Sequence, residues 1–163
     1  MFSISSLNYN KQLVLAGILF SIHNLEKAIG FSSFVYPSDF PLPIPPTSMI
    51  LAMSLITIIA WGFILWANIQ QNDLARKDML LIFITVFVLN TVLPPIAAII
   101  FLKTYFPGLI TSVILYLPYS IWLLPKLYRS YPERSRFYWT ATGGLIIAGT
   151  LVITLHFLIG VFI

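Results

Sequence analysis

A chain of 163 residues that is 59% hydrophobic and only 9% charged, with a mean hydropathy of +0.94, lies outside the range of a water-soluble globular domain. Cysteine is absent, which excludes disulfides, thiolate metal sites and iron–sulfur clusters. The formal net charge of +4 rests on a few basic residues placed in connections, as insertion topology alone requires, and so implies no nucleic-acid partner.

The length suits about five spans of ~20 residues with short connections, which predicts a single integral membrane domain over 1–163. The first apolar run, 12–32, contains His23, Glu26 and Lys27. Lys11 before it and Ala28-Ile29-Gly30 within it faintly resemble a secretory signal, but such segments do not normally carry His and Glu. A stiff, extended loop is expected next, where Pro37, Pro41, Pro43, Pro45 and Pro46 forbid a helix. Apolar runs follow at 48–69, 79–102, 108–124 and 137–162, and lipid allows such runs only as helices. The predicted fold is therefore an all-α bundle of five transmembrane helices.

Within the third run, Pro94 and Pro95 withhold the N–H groups that would bond the carbonyls of Asn90 and Thr91. Either a kink repaired by water or a hydroxyl, or a kink that opens a cavity, fits this pattern. Tyr105-Phe106-Pro107-Gly108 reads as a re-entry into the membrane: aromatics at the interface, Pro for a helix start, Gly for a tight turn. On the last run, His156 shares a stripe with Gly149 and Gly160, and Gly144-x-x-x-Ala148 is a second close-packing pair.

Lys11, Arg76, Lys77, Lys126, Arg129, Arg134 and Arg136 fall at one membrane side by loop parity, against Lys103 alone at the other. The positive-inside rule then puts the N-terminus in the cytoplasm and the C-terminus outside, with the cell's inner membrane as the expected location. Trp66, Trp122 and Trp139 near the same helix ends agree with that orientation.

Charge at membrane depth is expensive and seldom incidental. His23, Glu26 and Lys27 share one helix face, and a rise of 1.5 Å per residue puts His23 and Asn90 at a similar depth, about 16 Å in. His156 and Glu26 fall in the same outward half. A pocket of His23, Glu26, Lys27, Asn90 and His156 is expected to open toward the outer leaflet beneath the Pro-rich loop, supported by Thr91, Tyr105 and Gly108.

His23-Asn24-Leu25-Glu26-Lys27, Tyr105-Phe106-Pro107-Gly108 and the additional His156 resemble the small integral membrane proteins named for an H-x-x-E-E motif, whose pattern also includes a Y-x-P-G element and a further histidine. The likeness runs from the first helix to the last and implies a multi-pass membrane domain of no established activity. Lys27 departs from it, standing where the family pattern has a second Glu.

Several chemistries fit these residues. His23, Glu26 and His156 could supply three ligands to zinc or iron, although Lys27 would repel a cation. Without a metal, Glu26 could act as acid and a histidine as base, with Lys27 offsetting the carboxylate or binding an anionic head group. A proton or solute relay needs polar groups continuing toward the cytoplasm, and few are evident. A Glu26–Lys27 charge pair that fixes packing or assembly with a partner subunit is the structural alternative. The favoured reading is an enzyme or binder for a lipid-like or isoprenoid molecule, in which Glu26→Gln abolishes function and leaves the fold intact.

Overall fold

The structure, a computed structural model, describes residues 8–34, 45–70, 72–96, 99–100, 103 and 105–162, without the side chains of 46, 94, 148, 151–153 and 155–162. Most of the expected Pro-rich loop, 35–44, lies outside the described residues, as does the side chain of His156. Five long helices make up most of the described residues: α1 (Tyr9–Ser32), α2 (Pro46–Ile69), α3 (Asp73–Thr91), α4 (Leu109–Ser130) and α5 (Arg134–Phe162), with no strand among the described residues.

Their starts follow local chemistry. The Asn8 side chain accepts from the Lys11 N–H, and the Asn72 side chain from the Leu74 N–H with Asp73 in the first turn, each satisfying a donor that helical bonding leaves over. Pro46 opens α2, where its missing N–H costs nothing. α3 ends at Thr91 and passes into a π-turn over Val92–Ile96, in which Leu93 takes an extended conformation. Pro94 and Pro95 are the cause, since neither can donate to the preceding turn.

The regular helix α3 stops at Thr91 where a run to 102 was expected, and two other boundaries extend beyond the expectation from sequence. α3 begins at Asp73 rather than near 79, and α4 runs to Ser130 rather than 124. In both cases charged residues continue a helix that the apolar run only partly marks. Among the described residues three helices, Tyr9–Ser32, Thr47–Ile69 and Leu109–Ser130, are long and apolar enough to cross a membrane, where five were expected. α3 falls short because Asp73, Arg76, Lys77 and Asp78 crowd its first two turns.

α3 is central, packing against α1, α2, α4 and α5, while α1 and α2 form the most extensive pair. Phe20 of α1, Phe83 and Phe87 of α3 and Tyr116 of α4 make the aromatic centre, with the Phe87 and Tyr116 rings stacked 3.8 Å apart. Large apolar side chains also face outward around the bundle, among them Leu25, Ile29, Ile58, Ile121 and Ile146. Apolar residues on every side suit a hydrocarbon surrounding.

One end collects the basic residues. Asp78 accepts from the Tyr131 hydroxyl at 2.8 Å and from Arg136, Lys77 donates to the Ser130 carbonyl, and Lys77 also sits over the Tyr9 ring. The beginnings of α1, α3 and α5 and the end of α4 therefore meet there.

Glycine sorts the close contacts. A Cβ at Gly144 would come within 2.8 Å of Ile82, so α5 approaches α3 closely at that point, whereas a Cβ at Gly149 meets nothing within 4 Å. The expected close-packing role of Gly149 is thus not seen among the described residues. Gly144→Ala is expected to destabilise by about 1–3 kcal/mol through overpacking, and Gly149→Ala to stabilise by about 0.5–1 kcal/mol; thermal melts of the two variants check the opposite signs.

Candidate functional site

At the end of the bundle opposite the basic cluster, the His23-to-Lys27 stretch of α1 meets the Tyr105-to-Gly108 segment and the start of α4. Gly30 makes the approach possible: a Cβ there would lie 2.7 Å from Pro107. Phe106 packs edge-on against Phe31 and Phe34 and holds the segment down. Gly108 has φ +95°, and a Cβ on it would fall 2.8 Å from Lys27 Cε and 2.9 Å from His23 Cε1. Only glycine combines that backbone with that contact.

Glu26 caps α4 from a different helix. Its Oε1 accepts from the Tyr105 hydroxyl at 2.8 Å and from the N–H groups of Gly108 and Ile110 at 3.2 Å each. Oε2 accepts from the Thr111 N–H at 2.8 Å and the Thr111 hydroxyl at 2.5 Å. Every partner is a donor, which suits an ionised carboxylate at the positive end of a helix. Burial and the bond to Glu26 push the Tyr105 phenol up to about 12, so it remains a donor throughout the physiological range.

His23 is fully buried, and its Nδ1 lies 2.7 Å from Thr111 Oγ1. The Thr111 hydrogen is committed to Glu26, so the threonine oxygen accepts and the imidazole proton is assigned to Nδ1. Nε2 is left as a bare acceptor, buried and without a hydrogen-bond partner among the described residues. The Tyr116 ring lies beside the imidazole, centroids 4.4 Å apart.

Lys27 points away from Glu26, and no ion pair joins the two among the described residues. The expected charge pair is replaced by a bond from the Lys27 ammonium to the Asn90 side-chain oxygen at 3.1 Å. Asn90 thus stands opposite Lys27, one turn beyond the depth of His23. Its backbone carbonyl, freed by Pro94, faces the Ser112 hydroxyl at 3.5 Å, so a hydroxyl from α4 repairs the break. Thr91 is buried and donates to the Phe87 carbonyl within its own helix. Asn90→Ala is expected to lower stability by about 1.5–3 kcal/mol, because it strips a buried ammonium of its acceptor. Adding Lys27→Met should recover most of that loss in a thermal melt, since the stranded charge is then gone.

Sequence therefore pointed to His23, Glu26, Lys27, Asn90, Tyr105 and Gly108, and these do meet. It missed Thr111, the residue that links the two motifs. A hydroxyl three residues after Gly108, in the first turn of an apolar run, was the signal that could have found it. His156 lies on α5 with its side chain outside the described residues. No group of three His, Cys, Asp or Glu is gathered in metal-binding fashion among the described residues. A groove lined by Asn10, Lys11, Val14, Leu15 and Ile18 lies on the N-terminal half of α1, away from the cluster.

A helical bundle with span-length apolar helices and a His–Glu cluster docked on a Tyr–Phe–Pro–Gly turn defines a class of membrane-type helical protein. The chain belongs to the family described as "Protein of unknown function with HXXEE motif", whose model matches residues 14–123. It is also similar to "Uncharacterized protein YrkK" of Bacillus subtilis (strain 168), at 26% identity over 113 residues, covering 66% of this chain and 69% of that protein. No solved structure matches. The family match runs from within α1 to within α4, and so contains both motifs and the contacts between them but not α5 and His156, to which the likeness was expected to extend.

Proposed function

We propose that this chain crosses the membrane five times, N-terminus in the cytoplasm and C-terminus outside, and binds or acts on a lipid-like or isoprenoid molecule at the His23 cluster. The gathering of the α1, α3 and α5 starts with the basic residues at one end supports that orientation. One observation carries the site: the fully buried His23 imidazole is fixed through Nδ1 and keeps Nε2 bare, in a helix long enough to span a bilayer. In this reading a molecule approaches from lipid at the exposed Tyr105 and has to open its own path to the buried nitrogen.

In this reading His23 is the base, taking a proton at Nε2. Glu26 changes from the expected acid to the orienting carboxylate, because its oxygens already accept from five donors and it has no proton to give. The same saturation argues against Glu26 as a zinc or iron ligand. Lys27, buried and bonded to Asn90, would meet an anionic head group only by leaving that bond, and His156 is the proposed second acceptor from α5.

The test is mass spectrometry of lipid extracted from protein purified in mild detergent. A stoichiometric lipid-like molecule is expected with the wild type and lost with His23→Phe, which keeps an aromatic ring in place. Wild-type protein that carries no such molecule, or a His23→Phe variant that carries it unchanged, would sink the proposal. A structural or assembly subunit is the second reading, favoured by the full use of Glu26 in joining α1 to α4; it expects His23→Phe to melt no lower than the wild type and to bind the same companions.

A further inference from the structure

We infer that a stripe of hydroxyls on α4 holds a short file of ordered water that reaches the bare nitrogen of His23 and gives the buried imidazole a route for proton exchange. The inference rests on reading His23 as a base, and it concerns residues that reading does not use. Ser112, Tyr116 and Ser120 are spaced by four along α4, so they lie on one face. That face is internal, with exposures of 0%, 0% and 2%. Hydroxyls repeated once per turn inside an otherwise apolar helix are a placement that packing alone does not call for.

Ser112 meets the Asn90 carbonyl, but Tyr116 Oη and Ser120 Oγ are buried without a hydrogen-bond partner among the described residues, as is His23 Nε2. Three such atoms belong to neighbouring side chains, two on adjacent turns of α4 and the third on a ring whose centroid lies 4.4 Å from that of Tyr116. Buried polar atoms are almost always satisfied by protein or by ordered water, and water settles where two to four polar groups converge.

The stripe has a defined end. Leu123 and Leu127, both fully buried, occupy the next turns of the inward face. Beside Ser120, the Tyr119 hydroxyl donates to Gln12, with the backbone and side-chain oxygens of Gln12 each 3.0 Å away. In this inference the file runs from His23 to the Tyr119–Gln12 pair, where half-buried Gln12 meets the surface, and it does not continue past Leu123. Protons balance along it: the proton that His23 takes at Nε2 passes to the adjoining water, Nδ1–H stays on Thr111, and each hydroxyl in turn accepts one hydrogen and passes on its own until the half-buried Gln12 end gives a proton to bulk water. Glu26 and Lys27, the charged neighbours on α1, lie on the other side of Thr111 and at Asn90, outside this path.

Solid-state NMR of protein with ¹⁵N-labelled histidine in lipid bilayers tests this directly, by magnetisation transfer from water to the ring nitrogens. Transfer to His23 Nε2 is expected in the wild type and is reduced several-fold by Tyr116→Phe and by Ser120→Ala. Wild-type protein with no transfer to His23 overturns the inference. Thermal melting is a second readout: a hydrated Tyr116 hydroxyl makes Tyr116→Phe melt lower, by about 2–4 °C, whereas a dry one makes it melt higher and overturns the inference. Lipid content of the same samples, read separately, reports on the proposed function; water at His23 without lipid fails that function alone, and lipid without water fails this inference alone.

Discussion

Glu26→Ala is expected to cost about 3–5 kcal/mol, the largest loss of any single side chain in the bundle. It removes the acceptor of three backbone N–H groups and two hydroxyls at once, leaving the buried Gly108 N–H and the half-buried Thr111 donors without a protein partner. Glu26→Gln should lose roughly half as much, because one oxygen still accepts while the amide N–H₂ faces donors. Circular dichroism melts in detergent, with Glu26→Asp as a control for reach, check the order Ala below Gln below wild type. Equal melting temperatures for Gln and the wild type would contradict the capping role. The outcome separates this structure from the expectation drawn from sequence, in which Glu26→Gln left the fold intact.

Gly108→Ala is the second large effect. The residue has φ +95°, which costs an L side chain roughly 1–2 kcal/mol, and the new methyl would press on Lys27 and His23 at 2.8 and 2.9 Å, adding about 1–3 kcal/mol. Together these two effects, about 2–5 kcal/mol, are a substantial share of the stability of a domain of this size. The expected result is a melting temperature lower by about 5–15 °C, with His23 displaced from Thr111. Gly30→Ala at the Pro107 contact tests the same docking with no φ penalty, and its smaller loss isolates the steric part.

The helices were legible because their apolar runs leave the backbone no other satisfied conformation. Their ends were less so. α3 starts at an Asn72–Asp73 cap that the sequence displays, yet the charges at Arg76, Lys77 and Asp78 drew the boundary six residues inward. The same error in the starting points shifted the depth count, which set Asn90 level with His23 when its partner is Lys27, one turn on. Within the site, each motif was visible but the bond between them was not. A carboxylate that caps a helix from another helix leaves no local spacing to read, and Glu26 and Thr111 are 85 residues apart. The period of four in Ser112, Tyr116 and Ser120 is readable too, but it draws no notice in an apolar helix, where hydroxyls are usually satisfied by their own preceding turn.

That long separation also bears on how the protein is made. At about 5–20 residues per second, roughly 4–17 s pass between synthesis of the glutamate on α1 and arrival of the threonine that helps to hold it. If the chain threads into a bilayer as proposed, its first helix carries for most of that time a carboxylate with none of its eventual donors. Water or the polar interior of the insertion machinery has to host it, so the first helix settles only when the fourth has come in beside it.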